Sequence, residues 1–260
     1  DTVVDGTVIK VSYIRRSDLS YVVNYLEQGT NVKLKDSKTV NNKTFGESIT
    51  ENAIDIEGYN KVNETETIEI KVIGNEINFY YTKRNDLSYT VNYYENGTTN
   101  SLLTSKVVTN QLFGSNVREF AEEIEGYNKV DPTEKSITIG IKENVIDFYY
   151  TKRNDLEYVV KYLEQGTEKV LSEEKIVNNQ TFMDNVTESA IDIEGYNKVN
   201  DTETIEIKVA GNEIVFYYIA RADLSYTVRY LEQGTNQELS TEKVVENQTF
   251  GESITENAID

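Results

Sequence analysis

The 260-residue sequence contains no cysteine, no histidine and no tryptophan, and only one proline and one methionine. Without histidine or cysteine, the chain cannot form a Ser–His–Asp or Cys–His catalytic centre, and it lacks the side chains that usually bind zinc or copper. No apolar run approaches the ~20 residues that a membrane-spanning helix needs, and no basic-then-apolar leader opens the sequence. We therefore expect no membrane insertion within these residues.

Positive charge is also scarce, because 26 Lys and Arg residues face 45 Asp and Glu residues and leave a net charge of −19. Such a field repels nucleic acid and anionic membranes, so neither is an expected partner. The acidic residues are spread along the chain, which is typical of a solvated surface. No acidic pair stands apart as a glycosidase pair would, and the calcium-loop spacing is absent. We predict a protein that is not an enzyme, with no metal and no cofactor.

What the sequence does contain is a repeat. A segment beginning Asp-Leu starts at Asp18, Asp86, Asp155 and Asp223, at intervals of 68, 69 and 68 residues. The heptapeptide IEGYNKV occurs three times, at Ile56–Val62, Ile124–Val130 and Ile193–Val199. Self-similarity at a fixed period is the signature of a tandem array.

The period divides the chain into three full repeats, residues 17–84, 85–153 and 154–221. Residues 1–16 align with the end of a repeat, and we predict that they are the C-terminal hairpin of a preceding one. Residues 222–260 align with the N-terminal part of a further, truncated repeat. A length of about 68 residues is close to that of a minimal independent domain. Since the linkers are short and contain no Gly or Pro, we expect small domains arranged as an elongated rod.

Each repeat begins with an alternating pattern that predicts a strand. In the first repeat Tyr21, Val23 and Tyr25 share one face, which recurs in the other repeats and is therefore expected to be the core side. A Gly-Thr turn and a second strand follow. Near the end of the repeat, Ile68–Val72 alternates, and a Gly-Asn turn leads into Ile77–Tyr81 as the last strand.

The middle of each repeat predicts a helix. Val117, Phe120, Ala121 and Ile124 have the spacing i, i+3, i+4, i+7, which is typical of an amphipathic helix. Three of these four positions are again apolar in the other repeats: Ile49, Ala53 and Ile56 in the first, and Val186, Ala190 and Ile193 in the third. The glycine of IEGYNKV then ends the helix in a left-handed conformation. The predicted class is α+β and strand-rich, with one helix on a mixed four- to five-stranded sheet, which is a β-grasp (ubiquitin-like) fold.

These segments resemble the MucBP (mucin-binding protein) repeat of Gram-positive surface proteins. The resemblance is carried by "YTVNYYENGT" at Tyr89–Thr98, by "YLEQGT" and "GYNKV" in the repeats, and by the closing "FYYTKR". It implies tandem β-grasp domains in a secreted or cell-wall-attached adhesin, with host mucin or its glycans as ligands. The family has no catalytic residues, so the resemblance assigns none.

The binding candidates are Tyr80, Tyr149 and Tyr217, which lie on the outward parity of the last strand. Aromatic rings stack on sugars and lose little entropy when they are held still. Cross-strand packing on the second face of the sheet is the competing explanation. Two hypotheses of function follow: a multivalent adhesin that binds mucin glycans weakly at each repeat, and a structural stalk or fibre that binds no glycan. Self-assembly through neighbouring repeats is a variant of the second.

Overall fold

A computed structural model describes residues 2–259. Within that range the chain forms twenty β-strands and no helix, and about half of its residues lie in strands. The strands of the first repeat are β1 Leu19–Glu27, β2 Lys33–Lys43, β3 Ser48–Asn52, β4 Tyr59–Lys61, β5 Thr65–Glu69 and β6 Glu76–Lys83.

The same six strands recur in the other repeats. In the second repeat they are β7 Leu87–Glu95, β8 Lys106–Gln111, β9 Asn116–Phe120, β10 Tyr127–Lys129, β11 Glu134–Thr138 and β12 Val145–Lys152. In the third they are β13 Leu156–Glu164, β14 Lys175–Gln180, β15 Asn185–Ser189, β16 Tyr196–Lys198, β17 Thr202–Glu206 and β18 Glu213–Ala220. The C-terminal segment contributes β19 Leu224–Val228 and β20 Lys243–Gln248.

Each full repeat contains a four-stranded sheet and a separate two-stranded sheet. In the first repeat the four-stranded order is β2-β1-β6-β4, and β3 pairs with β5 alone. Strands β1 and β6 are parallel, whereas the other pairs are antiparallel. The corresponding orders are β10-β12-β7-β8 with β9–β11, and β14-β13-β18-β16 with β15–β17. The C-terminal segment forms the single pair β19–β20.

The predicted helix, and with it the α+β β-grasp assignment, is wrong. The segment of the second repeat that was expected to be helical is strand β9, which pairs residue by residue with β11 from Asn116–Thr138 to Phe120–Glu134. Its burial alternates with period two, and Phe120 is 57 % exposed. The positions shared by all repeats are therefore i, i+2 and i+4, as in Ile49, Glu51 and Ala53, with a glutamate in the middle. Because the middle position of this strand face is charged, the apolar residues alone show the spacing of a helix and not the alternation of a strand.

The core of the first repeat lies between its two sheets. The predicted inward face is confirmed, because Tyr21, Val23 and Tyr25 are each at most 5 % exposed. They pack with Ile49 and with residues of the last strand, among which Tyr81 is fully buried. Burying a phenol requires a hydrogen-bond partner, and the Tyr81 hydroxyl donates to the carbonyl oxygen of Ile54 at 2.9 Å. Tyr150 and Tyr218 make the equivalent bonds in the other repeats.

A tyrosine–glutamate–lysine triad connects the two sheets of each repeat. In the third repeat, the Tyr158 hydroxyl on β13 donates to Glu188 on β15 at 2.6 Å, and Lys175 on β14 lies 2.6 Å from the same oxygen. These bonds lower the pKa of Glu188, first through Lys175 and then through Tyr158, against an opposing effect of burial. Equivalent triads are Tyr21–Glu51–Lys38 and Tyr89–Glu119–Lys106. Tyr226, Glu256 and Lys243 make the same bonds in the C-terminal segment, where Glu256 lies outside the strands.

An asparagine closes the loop before the last strand of each repeat. Asn212 is 9 % exposed, accepts a hydrogen bond from the Lys208 amide, and donates to the carbonyl oxygens of Lys208 and Glu157. Asn75 and Asn144 make the same three bonds in their repeats. The predicted Gly-Asn turn is confirmed in position, but β5 pairs with β3 rather than with β6. The hydrogen bonds of the asparagine side chain hold this loop, in place of the expected hairpin pairing between β5 and β6.

The described residues divide into two compact units. One contains the chain up to Tyr94 together with Thr99–Ala121 and Asp131–Phe148, and the other contains Glu95–Thr98, Glu122–Val130 and the chain from Tyr149 onward. The first unit includes both sheets of the first repeat, and the second includes both sheets of the third. Residues 2–16 contain no strand and expose Val8 and Ile14, so their assignment to a preceding repeat stays a prediction.

Candidate functional site

The predicted tyrosines lie on the face of the four-stranded sheet that points away from the core, which we call the outer face. In the first repeat it is formed by Val22, Asn24 and Leu26 of β1 and by Asn78 and Tyr80 of β6. The alternation of side chains places Tyr80 there because its neighbours Phe79 and Tyr81 are buried in the core. Tyr80, Tyr149 and Tyr217 are all half-buried, so part of each ring remains accessible.

Each tyrosine of the outer face has its own immediate surroundings. Tyr80 lies opposite Leu26 in the parallel pairing, and Tyr217 lies opposite Leu163. The Tyr217 hydroxyl is 3.5 Å from a carboxylate oxygen of Glu168, at the outer limit of a hydrogen bond. A ring against an aliphatic side chain, with its hydroxyl near an acceptor, can offer one apolar face and one polar group to a ligand.

Polar side chains continue the outer face toward the other end of the sheet. In the first repeat Asn24 donates to Asn78 at 2.8 Å and accepts from the Ser37 hydroxyl at 2.7 Å. The second repeat has the equivalent arrangement of Asn92, Asp147 and Ser105. The third repeat differs, because Lys161 forms an ion pair with Glu213 at 2.5 Å. Beside it, a cleft of about 400 Å³ is lined by Lys161, Tyr162, Leu163, Val170, Ser172 and Glu174.

A second set of residues recurs where one repeat follows another, and sequence reasoning did not predict that these residues contact each other. The Phe113 ring of the second repeat lies directly over Gly58 of the first repeat, so that a Cβ at Gly58 would overlap it. The edge of the Tyr59 ring meets Phe113 with centroids 5.8 Å apart. Gly58 and Tyr59 belong to the IEGYNKV heptapeptide, and Phe113 is one of four phenylalanines at the repeat period. That shared period is the signal that could have indicated the contact.

The linker residue Arg84 completes this contact, which we call the repeat junction. Its amide donates to the Gly58 carbonyl oxygen at 2.9 Å, and its carbonyl oxygen accepts from the Phe113 amide at 2.8 Å. Its guanidinium makes two hydrogen bonds to Asp86, each 2.9 Å long. The same contacts recur in the second junction, formed by Gly126, Tyr127, Arg153 and Phe182, and in the third, formed by Gly195, Tyr196, Arg221 and Phe250.

Among residues 2–259, no group of three or more Asp, Glu, His or Cys side chains is placed to hold a metal ion. The same described residues form no helix that is long and apolar enough to cross a membrane.

Comparisons with known proteins give no family assignment. No family model matches the chain, and no curated protein matches it either. Membership of the MucBP family therefore stays a prediction from the motifs.

Several solved structures match at low similarity. The Bacillus anthracis TIE protein is 14 % identical with a TM-score of 0.34, and the match covers 78 % of this chain and half of that one. A type 2 repeat of the mucus binding protein MUB from Lactobacillus reuteri is 10 % identical with a TM-score of 0.20, and the match covers 51 % of this chain and 98 % of that one. A streptococcal ancillary pilin is 10 % identical with a TM-score of 0.25, and the match covers 72 % of this chain and 79 % of that one. Likeness at this level assigns neither a family nor a function.

Proposed function

We propose that this chain is the non-catalytic repeat region of an extracellular adhesin on a bacterial cell surface. In this proposal each repeat contacts host mucin or its glycans weakly through its outer face, and the array gains strength through multivalency. The observation that carries the proposal is the recurrence of Tyr80, Tyr149 and Tyr217 as half-buried rings on that face. Neighbouring polar groups such as Asn24, Asn78 and Ser37 supply hydrogen-bond donors and acceptors of the kind that sugar hydroxyls need.

The charge of the chain is consistent with a neutral ligand. A net charge of −19 opposes binding to acidic polymers, so glycan recognition here depends on stacking and neutral hydrogen bonds rather than on ion pairing. Weak sites that are linked in one chain raise each other's effective concentration, so removing all three rings is expected to reduce binding far more than removing one.

The test measures binding of the full chain to immobilised mucin at physiological salt, before and after enzymatic removal of the glycans. The proposal expects saturable binding that is lost on deglycosylation and lost in the triple variant Tyr80→Ala, Tyr149→Ala, Tyr217→Ala. The matched control replaces the same three residues by Phe, which retains the rings, and it is expected to keep most of the binding. Equal binding by all three proteins would refute the role of the tyrosines.

The repeat junction favours a second candidate function, a structural stalk or fibre that projects another part of the protein. Its hydrogen bonds and ring contacts lie at the linkers, where a purely glycan-binding array would need only flexible connections. Absence of saturable binding to intact mucin, in a chain that is fully folded, would favour this function over the adhesin.

A further inference from the structure

We propose that each repeat docks onto the repeat before it through the junction, so that neighbouring repeats unfold as coupled partners and not as independent domains. The interaction surface on one side is a phenylalanine turn, and its partner on the other side is a Gly-Tyr turn of the adjacent repeat. The proposal does not depend on what the outer face binds.

Gly58 is suited to this contact for two separate reasons. Its φ of +81° lies in the left-handed region, where a side chain is strained, and the space that a Cβ would occupy is filled by the Phe113 ring. Gly29 has nearly the same φ, +83°, but nothing lies within 4 Å of its missing Cβ. The backbone conformation alone therefore accounts for Gly29, whereas Gly58 also admits the ring of the next repeat.

The linker is held from both sides. The Arg84 amide is bonded to the first repeat through Gly58, and the Arg84 carbonyl is bonded to the second repeat through Phe113. Opening the junction would therefore free the hydrogen bond from the Arg84 amide to Gly58 together with the ring contact. Because these contacts share the same groups, we expect them to be lost cooperatively.

Phe45, the equivalent phenylalanine of the first repeat, lies over no glycine among residues 2–259. Its amide makes the same backbone bond, to the Arg16 carbonyl oxygen at 2.8 Å, but its side chain is 44 % exposed. Phe113 and Phe182 are half-buried at the equivalent positions. Phe250, which lies over Gly195, is 38 % exposed, and the local backbone bond forms at all four positions, whether or not the ring lies over a glycine.

The test is a double-mutant cycle in the full chain, read by tryptic cleavage after Arg84 and by hydrogen exchange of the Arg84 amide. Phe113→Ala is expected to raise both rates about tenfold, equivalent to about 1.4 kcal/mol and in the range of one aromatic contact. Phe45→Ala removes an equivalent ring that covers no glycine, and it should leave the rates at Arg84 unchanged. Gly58→Ala should raise them more than Gly29→Ala does, because only the first substitution displaces a ring.

The double variant Gly58→Ala, Phe113→Ala decides the matter. If the methyl group and the ring compete for one space, its effect is smaller than the sum of the two single effects. Additive effects, or equal effects of Gly58→Ala and Gly29→Ala, would overturn the proposal. If Phe113→Ala does not fold, the milder substitution Phe182→Leu, read at Arg153 in the second junction, gives the same test; unchanged rates there would also overturn the proposal.

Discussion

The hydroxyl of Tyr21 lies 2.5 Å from Oε1 of Glu51, and the two residues belong to different sheets. Lys38, on the strand next to Tyr21, approaches the same carboxylate at 2.7 Å. The Glu51 side chain is only 16 % exposed, so its charge is largely withdrawn from water and depends on these two partners. A single carboxylate in each repeat thus joins the four-stranded sheet to the two-stranded sheet.

Acid should weaken this connection. The pKa of Glu188 is lowered in the folded chain, so its contribution to stability is present above the ordinary glutamate pKa of about 4.3 and is lost as the pH falls through the lowered value. We expect the free energy of unfolding, measured in urea from pH 7 to pH 3, to fall less steeply in Glu188→Gln than in the parent chain. Glu206→Gln, an exposed position on β17, is the control and should retain the parent slope. Parallel curves for all three proteins would contradict the prediction.

Alkali should act on the same triad through tyrosine. Burial, followed by the bond to Glu188, raises the pKa of Tyr158 to about 12. The neutral Tyr158 hydroxyl therefore contributes its full stabilisation below its unfolded pKa of about 10. This contribution is lost as the pH rises toward 12. We expect tyrosinate absorbance and loss of β-sheet ellipticity to rise together in that interval. The variant Tyr158→Phe should reduce the tyrosinate absorbance that appears there. Tyr13→Phe alters a 90 % exposed residue and should leave the pH of unfolding unchanged.

One turn of the third repeat carries a residue that its backbone does not favour. Met183 has φ +66°, whereas the other copies of this turn have Gly46, Gly114 and Gly251. A left-handed non-glycine residue is strained by about 1–2 kcal/mol, which exceeds the extra chain entropy of glycine, about 0.4–1 kcal/mol. We expect Met183→Gly to stabilise the chain by up to about 1 kcal/mol in urea denaturation. The reciprocal Gly114→Met should destabilise it similarly, and a destabilising Met183→Gly would contradict the argument.

The loop asparagine should be costly to remove. Asn212→Ala eliminates three hydrogen bonds and leaves the Lys208 amide without its acceptor, so we expect a loss of about 2–3 kcal/mol of unfolding free energy. Asn178→Ala, at an exposed position of β14, is the matched control and should cost less than about 0.5 kcal/mol. Similar costs for the two variants would show that the side chain does not hold the loop.

Much of the strand pattern could be predicted from the sequence, because the inward and outward residues of β1 and β6 alternate without interruption. The helix could not be rejected on spacing alone. Ile49, Ala53 and Ile56 fit a helical stripe, and the residue that completes the strand alternation is the charged Glu51. Only the positions of its partners, Tyr21 and Lys38, explain why a glutamate stands on a buried face.

The candidate sites show the same limit. The parity of the last strand correctly places Tyr80 away from the core, since that depends only on its neighbours. The junction depends on two residues more than fifty positions apart, and Gly58 already had a local explanation as the end of a helix. A glycine explained by its backbone gives no sign of a ring lying above it.

Every junction uses a phenylalanine from one repeat and a Gly-Tyr turn from the repeat before it, and each full repeat carries both parts. Unequal recombination between two copies of such a gene removes or adds whole periods, wherever within the period the exchange occurs. The newly adjoining repeats then again bring together one phenylalanine and one Gly-Tyr turn. The array can therefore change its length over generations while every repeat junction is preserved.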